Sequence, residues 1–92
     1  MKLSNVYKAE KGLIRVSADV DAGAIIEIRI TGDFFMLPEK SVLLLESLLK
    51  GKPFERGAIS LALDEFYAGG VETPCVTKED FLSAISGAKN EV

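Results

Sequence analysis

Cys75 is the one thiol of the sequence, and a thiol can act as a nucleophile or carry sulfur. It follows Pro74 in a predicted loop and precedes a helix that we expect to begin at Thr77. A reactive thiol needs a neighbouring cation or a helix N-terminus to favour its thiolate form, and the predicted helix start is close enough to supply one. A lone cysteine can equally be a small buried hydrophobic residue, so both interpretations are open at this stage.

Most other catalytic constellations are excluded by residue type. The 92 residues include no histidine, which removes Ser-His-Asp and Cys-His catalysis and any zinc site that contains histidine. A single cysteine cannot form an intrachain disulfide or a CxxC site. The glycines form neither GxGxxG nor GxxxxGKS/T, and the spacing of the carboxylates places no two of them in one cleft. From its residues the chain is therefore predicted to be a non-catalytic interaction module.

Gly32-Asp33-Phe34-Phe35 is the most distinctive stretch of the sequence. Two adjacent aromatic residues directly after a strand cannot both enter the same core, so the stretch allows two interpretations. In one, a phenylalanine fills the core and Asp33 accepts hydrogen bonds that hold the turn. In the other, the loop presents an aromatic side chain and a carboxylate to a partner, because aromatic residues are typical interface anchors.

Two leucines are predicted to project from the polar sides of their helices. Helical spacing places Leu44 on the apolar face of the first helix, whereas Leu43 and Leu61 point away from the apolar faces of theirs. Isolated exposed leucines are common, but these two could also belong to an apolar patch at a subunit contact. The candidate partner-interface residues are Asp33, Phe34, Phe35, Leu43 and Leu61.

The first half of the chain has the pattern of an antiparallel sheet. Apolar and polar residues alternate through residues 13–31, as in a β-hairpin with one buried face. Asp21-Ala22-Gly23 matches a three-residue loop whose glycine adopts the left-handed conformation, and this loop pairs Val16 with Ile28. Residues 5–10 are predicted to add a third strand.

Three helices are predicted after the strands. The first starts at Pro38, whose missing N–H costs nothing at the first helical position, and ends before Gly51. The second spans residues 55–67, and the third begins at a capping box formed by residues 77–80. Residues 87–92 are small and polar and are predicted to fray. Strands followed by helices indicate an α+β domain, with an antiparallel three-stranded sheet and the helices packed on one face.

Composition restricts the partners and the compartment. Apolar residues make up 48% of the sequence, which is high for so small a domain, so part of that surface is expected to face a partner. The net charge of −3 argues against nucleic acid or an anionic membrane as the main partner. No apolar run reaches the roughly 18–20 residues of a membrane span, and the first residues lack the apolar stretch of a signal peptide. A cytoplasmic protein is therefore expected.

The order of these features resembles the C-terminal accessory domain of lipoate–protein ligases, here as a separate chain. The matching stretches are Lys11 to Val16, Asp21 to Gly23, Ile30 to Phe35, Pro38-Glu39, the helix from Val42 to Leu49 closing on Lys50-Gly51, Gly70-Val71 and Thr77 to Phe81. The resemblance covers nearly the whole chain. Its most specific part is Gly32 to Phe35 followed by a leucine-rich helix that ends at glycine.

The resemblance implies that residues 1–92 are one domain, the small subunit of a bipartite lipoate–protein ligase. Such ligases activate lipoate with ATP and Mg²⁺ to lipoyl-AMP. They then pass the lipoyl group to a lysine on the lipoyl domain of a 2-oxoacid dehydrogenase complex or on a glycine-cleavage carrier protein. The sequence lacks the nucleotide loop and catalytic lysine of the family's catalytic domain. The resemblance therefore implies a heterodimer in which a separate catalytic subunit holds lipoate, ATP and Mg²⁺, while this chain binds no cofactor alone and helps to form or close the adenylation site.

The fold implied by the resemblance is similar to that of the SufE and NifU proteins of iron–sulfur assembly, which supplies an alternative function. A SufE-like sulfur acceptor needs one reactive cysteine, which Cys75 could provide. A NifU-like scaffold needs three cysteines and is excluded. A regulatory adaptor with a different partner is a third alternative.

Overall fold

The computed structural model describes residues 1–90, which form one antiparallel sheet and three helices. The strands are β1 (Lys2–Ala9), β2 (Gly12–Asp21), β3 (Ala24–Asp33) and β4 (Lys89–Asn90), in the spatial order β3-β2-β1-β4. The helices are α1 (Ser41–Leu49), α2 (Arg56–Ala68) and α3 (Lys78–Ser86). The predicted α+β class and the third strand are confirmed. The predicted fraying of residues 87–92 is wrong for 89–90, which form β4 beside β1, and residues 91–92 lie outside the described part of the chain.

The helices cover one face of the sheet. α1 packs on β3, α3 packs on β1 and β2, and α2 packs on α1 and α3. Alternate strand residues are buried under this helical layer, for example Val16 and Ile30, while Arg15 and Arg29 are exposed on the opposite face. The largest fully buried side chains, which form the centre of the core, are Phe66, Phe81, Ile14, Ile25, Leu45, Leu49, Ile59, Leu63 and Ile85.

The β2–β3 hairpin has a different register from the predicted one. Its turn has two central residues, Ala22 at φ 51° and Gly23 at φ 79°, which is the left-handed pair of a type I′ turn. Val16 pairs with Ile30 and not with Ile28. The pairing shifts next to Val20, where Ile26 is the extra residue of a β-bulge and is 44% exposed. The bulge compensates for the shorter turn and keeps the rest of the apolar set on the covered face.

The type I′ turn leads to a stability prediction. Ala22 lies in the left-handed region, where a Cβ atom is unfavourable and asparagine is better tolerated than alanine. We expect Ala22→Asn to raise the free energy of unfolding by about 0.5–1 kcal/mol, measured by urea denaturation. Ala22→Val is the matched control and should lower it, because a β-branched residue fits positive φ poorly. Equal effects of the two substitutions would contradict the assigned turn.

The helix boundaries agree with the sequence patterns to within a few residues. α1 begins at Ser41, not Pro38, because residues 38–40 form a turn in which the Ser41 N–H donates to the Pro38 carbonyl at 3.0 Å. The capping box of α3 is confirmed: the Asp80 N–H donates to Thr77 Oγ1 at 3.2 Å, and the Thr77 N–H donates to Asp80 Oδ2 at 2.8 Å. No helix within residues 1–90 is long and apolar enough to cross a membrane.

The outer edge of β3 is partly covered by its own chain. The Ile30 N–H, which points away from the sheet, donates to Glu46 Oε2 on α1 at 2.7 Å. At the start of β3, the Ile25 N–H donates to the Lys52 carbonyl at 2.9 Å, and the Gly51 N–H donates to the Ile25 carbonyl at 2.7 Å. Strand edges covered in this way are poor templates for pairing with other chains.

Candidate partner interface

The structure separates the two adjacent phenylalanines at the end of β3. Phe34 is half-buried, and its ring meets that of Phe81 edge to face, with centroids 5.3 Å apart and an interplanar angle of 86°. Phe35 is 70% exposed. Each interpretation of the stretch therefore fits one residue: Phe34 completes the core, and Phe35 is presented to solvent.

Gly32 and Asp33 are the last two residues of β3 and pair with Ile14 and Leu13 of β2, so the chain does not turn at them. Gly32 has φ 144°, and a Cβ atom there would clash with the Leu13 carbonyl oxygen, so only glycine fits at this position. Asp33 is exposed at the end of β3, and its carboxylate accepts no hydrogen bond from residues 1–90. The interpretation in which Asp33 holds a turn is therefore wrong, because both residues continue the strand.

Phe35 belongs to an apolar surface between β3 and α1. A shallow depression of about 220 Å³ is lined there by residues that include Phe35, Leu37, Glu39 and Val42. The backbone that carries it is fixed, because Leu37 and Glu72 exchange two hydrogen bonds of 2.8 and 2.9 Å. The exposed apolar residues that line this depression are Phe35 (70%) and Leu37 (50%). Leu43 (61%) and Leu44 (48%) do not line it, but they follow Val42 on α1, which does. The name apolar surface refers to this lining together with Leu43 and Leu44.

The apolar surface continues onto α1 through one more leucine than predicted. Leu43 is exposed, as helical spacing predicts, but Leu44 is also 48% exposed, so its assignment to the buried face is wrong. α1 packs on β3 and α2 through Leu45 and Leu49, which are fully buried. The contact is too narrow to cover Leu43 and Leu44 as well, and both follow Val42, which lines the depression beside Phe35.

Leu61 is exposed but lies in different surroundings. It is 71% exposed on α2, whose buried face contains Ile59 and Leu63. One turn further along α2 is Asp64, which forms an ion pair of 2.7 Å with Lys78 on α3. Neither Leu61 nor Leu43 lines the depression beside Phe35, but Leu43 follows Val42 on α1, which does. A single patch shared by Leu43 and Leu61 is therefore not evident among the described residues.

Cys75 is exposed in the loop between α2 and α3. Its backbone has φ 78°, a left-handed conformation that a side chain rarely adopts. Thr77 and Asp80 cap the first turn of α3, so the backbone N–H groups of these two residues already have hydrogen-bond partners within the helix. Within residues 1–90 no group of three or more His, Cys, Asp or Glu side chains is placed to hold a metal ion.

A hydrogen-bonded chain holds this loop against α2, and sequence reasoning did not find it. Tyr67 Oη lies 2.8 Å from Thr73 Oγ1, and Thr73 Oγ1 donates to the Val76 carbonyl at 2.9 Å. Because the single hydroxyl proton of Thr73 is used there, Tyr67 is the donor to Thr73. Burial raises the pKa of Tyr67 above its usual value, and the nearby Asp80 charge adds to the rise.

The raised pKa of Tyr67 predicts a pH dependence of stability. The unfolded chain loses this proton near pH 10, before the folded chain does, so the free energy of unfolding should fall as the pH rises above about 10. Tyr67→Phe should be about 1 kcal/mol less stable than the wild type at pH 8, because it lacks the hydrogen bond. The difference should shrink above pH 10, measured by urea denaturation from pH 8 to 11. A constant difference across that range would contradict the assignment.

Comparison with known proteins places the chain in a family. A family model described as the bacterial lipoate protein ligase C-terminus matches residues 1–85, so the chain belongs to that family. One relative is "Lipoate-protein ligase A subunit 2" of Thermoplasma acidophilum, 47% identical over 85 residues that cover 92% of this chain and 88% of the relative.

A solved structure supports the same membership. It is that of "a bi-partite lipoate protein ligase and its E2 lipoyl domain" from Thermoplasma acidophilum. One of its chains matches with a TM-score of 0.87 at 47% identity, covering 92% of this chain and 94% of that chain. The resemblance seen in the sequence and the α+β fold are confirmed.

Proposed function

We propose that the chain is the non-catalytic accessory subunit of a bipartite lipoate–protein ligase. The observation that carries the proposal is the 47% identity to a subunit of such a ligase across nearly the full length of both chains. The sulfur-acceptor alternative is not favoured, because the family model, the relative and the solved structure that match are all of lipoate–protein ligases.

The apolar surface is the proposed contact with the catalytic subunit. Phe35 and Leu43 are its most exposed large side chains, at 70% and 61%. Phe34 supports Phe35 from the core side through its contact with Phe81. Asp33 adds an exposed carboxylate at the rim, and Leu61 would form a separate, smaller contact. Aromatic anchors with an apolar surround and a polar rim are the usual composition of a stable interface.

The chain would help to enclose the adenylation site and would supply no reacting group. We propose that lipoate, ATP and Mg²⁺ bind in the catalytic subunit and that this chain helps to close that site. Closing an adenylation site excludes water, which would otherwise hydrolyse the reactive lipoyl-AMP. The lipoyl group would then pass to a lipoyl domain of a 2-oxoacid dehydrogenase complex or to a glycine-cleavage carrier protein, in the cytoplasm.

The proposal is tested by reconstitution with the catalytic subunit from the same organism. Lipoyl-AMP formation from lipoate and MgATP is measured for the catalytic subunit alone and with one equivalent of this chain. We expect a heterodimer by size-exclusion chromatography and an increase in lipoyl-AMP formation of at least tenfold. Absence of a complex together with unchanged lipoyl-AMP formation would refute the proposed function.

The alternative function gives a prediction for Cys75. Cys75→Ser should leave both heterodimer formation and lipoylation of an acceptor domain unchanged, because the exposed thiol has no role in the proposed function. Cys75→Gly is a second control and should raise the free energy of unfolding by up to about 1 kcal/mol, because glycine accepts φ 78° without strain. Loss of lipoylation in the serine variant, with the fold intact, would contradict this prediction and support a chemical role for the thiol.

A further inference from the structure

The face of the sheet opposite the helices carries two arginines that have no ionic partner among residues 1–90. Arg15 lies on β2 opposite Thr31, and Arg29 lies on β3 opposite Ser17. The two arginines are therefore diagonal neighbours, with about 7–8 Å between such positions. Both are exposed, and neither takes part in the ion pairs of the described chain.

The acidic side chains around this pair form no ion pair with either arginine. Asp19, Glu27 and Glu46 line a depression together with Arg29. Glu27 pairs with Lys50 at 2.8 Å, and Asp19 lies 3.4 Å from the N-terminal ammonium. Asp33 lies opposite Leu13 and is therefore a diagonal neighbour of Arg15, but it pairs with neither arginine. Both guanidinium groups are thus free to bind an external carboxylate, although the chain as a whole has a net charge of −3.

The surroundings of the pair are suited to a protein partner with carboxylates. A shallow depression of about 260 Å³ contains both arginines, Val6 and three hydroxyl residues, which are Ser4, Ser17 and Thr31. Arginine binds carboxylates through two parallel hydrogen bonds, and it is enriched at protein interfaces. A small anion would stay largely solvated in so open a site, whereas a protein surface would cover it. Carboxylates on alternate residues of a strand, about 7 Å apart, match the spacing of the two arginines.

The position of the pair indicates which protein it contacts. β3 carries Arg29 and Thr31 on the open face and then continues into the segment that presents Phe35. The open face and the apolar surface therefore meet at the end of β3. A catalytic subunit that contacts Phe35 would also contact Arg15 and Arg29 if its surface extended past the end of β3 onto the open face.

We propose that the open face around Arg15 and Arg29 is a second contact surface, and that it takes a carboxylate-bearing surface of the catalytic subunit. This inference rests on the proposed function. It adds that the partner surface is negatively charged and that it contacts the open face of the sheet. It also predicts that part of the association is electrostatic and falls with ionic strength.

The test compares two double variants with the same change in net charge. Arg15→Glu/Arg29→Glu should weaken heterodimer formation by about 10- to 100-fold at 50 mM NaCl and remove most of its salt dependence. Lys11→Glu/Lys52→Glu, with both lysines exposed and neither on a strand of the sheet, should change affinity less than about threefold. Equal effects of the two double variants would overturn the proposal, as would an unchanged affinity of the arginine variant. A raised KM for ATP with unchanged affinity would assign the pair to a small anion and would also overturn it.

A second measurement keeps the proposal testable if the reversed charges disturb folding. Arg15→Lys preserves the charge and provides an amine that a carbodiimide can join to a nearby carboxylate. Mass spectrometry should then find a cross-link between position 15 and an Asp or Glu of the catalytic subunit, and its absence would overturn the proposal. If the wild-type chain fails to bind or to stimulate lipoyl-AMP formation, the proposed function fails. If it succeeds and only the predictions for the arginines fail, this inference alone is wrong.

Discussion

Replacing Phe35 with alanine should weaken heterodimer formation by about 10- to 30-fold and leave the free energy of unfolding within about 0.5 kcal/mol of the wild type. The side chain is 70% exposed, so its removal opens no cavity in the isolated chain. In the complex it would be a buried aromatic anchor, and truncating such an anchor commonly costs 1–2 kcal/mol or more of binding free energy. Isothermal titration calorimetry with the catalytic subunit measures the first effect and thermal unfolding the second.

Two further variants define the contact. Leu43→Asp should weaken the complex at least as much as Phe35→Ala, because it would place an unpaired charge in an apolar contact. Ile26→Ala is the matched control: Ile26 is 44% exposed, but it lies at the other end of β3. We expect it to bind normally. If Ile26→Ala weakened the complex as much as Phe35→Ala, the contact would not be localised to the apolar surface.

Phe81→Ala should have the opposite profile, with a large loss of stability. Phe81 is fully buried on α3 and supports Phe34 at a centroid distance of 5.3 Å. Truncation of a buried phenylalanine costs about 3–5 kcal/mol, a large share of the total stability of a domain of this size. The melting temperature should fall by at least about 12 °C, measured by circular dichroism.

A double-mutant cycle separates the aromatic contact from the cavity. Phe34→Leu, Phe81→Leu and the double variant should show a coupling of about 0.5–1.5 kcal/mol, as expected for an edge-to-face pair. Phe35→Ala, at the position next to Phe34, is the control and should leave the free energy of unfolding nearly unchanged. A loss below 1 kcal/mol for Phe81→Ala would show that α3 does not pack as described.

The sequence was informative wherever a local rule determines the structure. The capping box of Thr77 and Asp80 needs only residues three apart, and the alternation in β2 reports a sheet with one covered face. The separate roles of Phe34 and Phe35 follow from the geometry of adjacent residues. Family membership was also recognisable, because the short features that carry the resemblance extend over nearly the whole chain.

The features that were missed depend on tertiary structure. The hairpin register depends on a bulge at Ile26, which compensates for a turn one residue shorter than predicted. Leu44 is exposed because the contact between α1 and the rest of the domain is narrow, and helical spacing alone does not predict the width of that contact. Strand β4 exists because β1 offers it an edge, although its own two residues have little strand propensity. For Leu44 and β4 the deciding partners lie in other elements of the chain, whereas the bulge lies within the hairpin itself, where alternation alone does not locate it.

The covered edge of β3 has a consequence for the proposed accessory subunit before it meets its partner. An open outer strand could recruit identical strands from other copies and begin to polymerise. Glu46 accepts a hydrogen bond from the Ile30 N–H at the middle of this strand, and the segment from Gly51 to Phe54 covers its beginning. The free subunit should therefore not polymerise through β3.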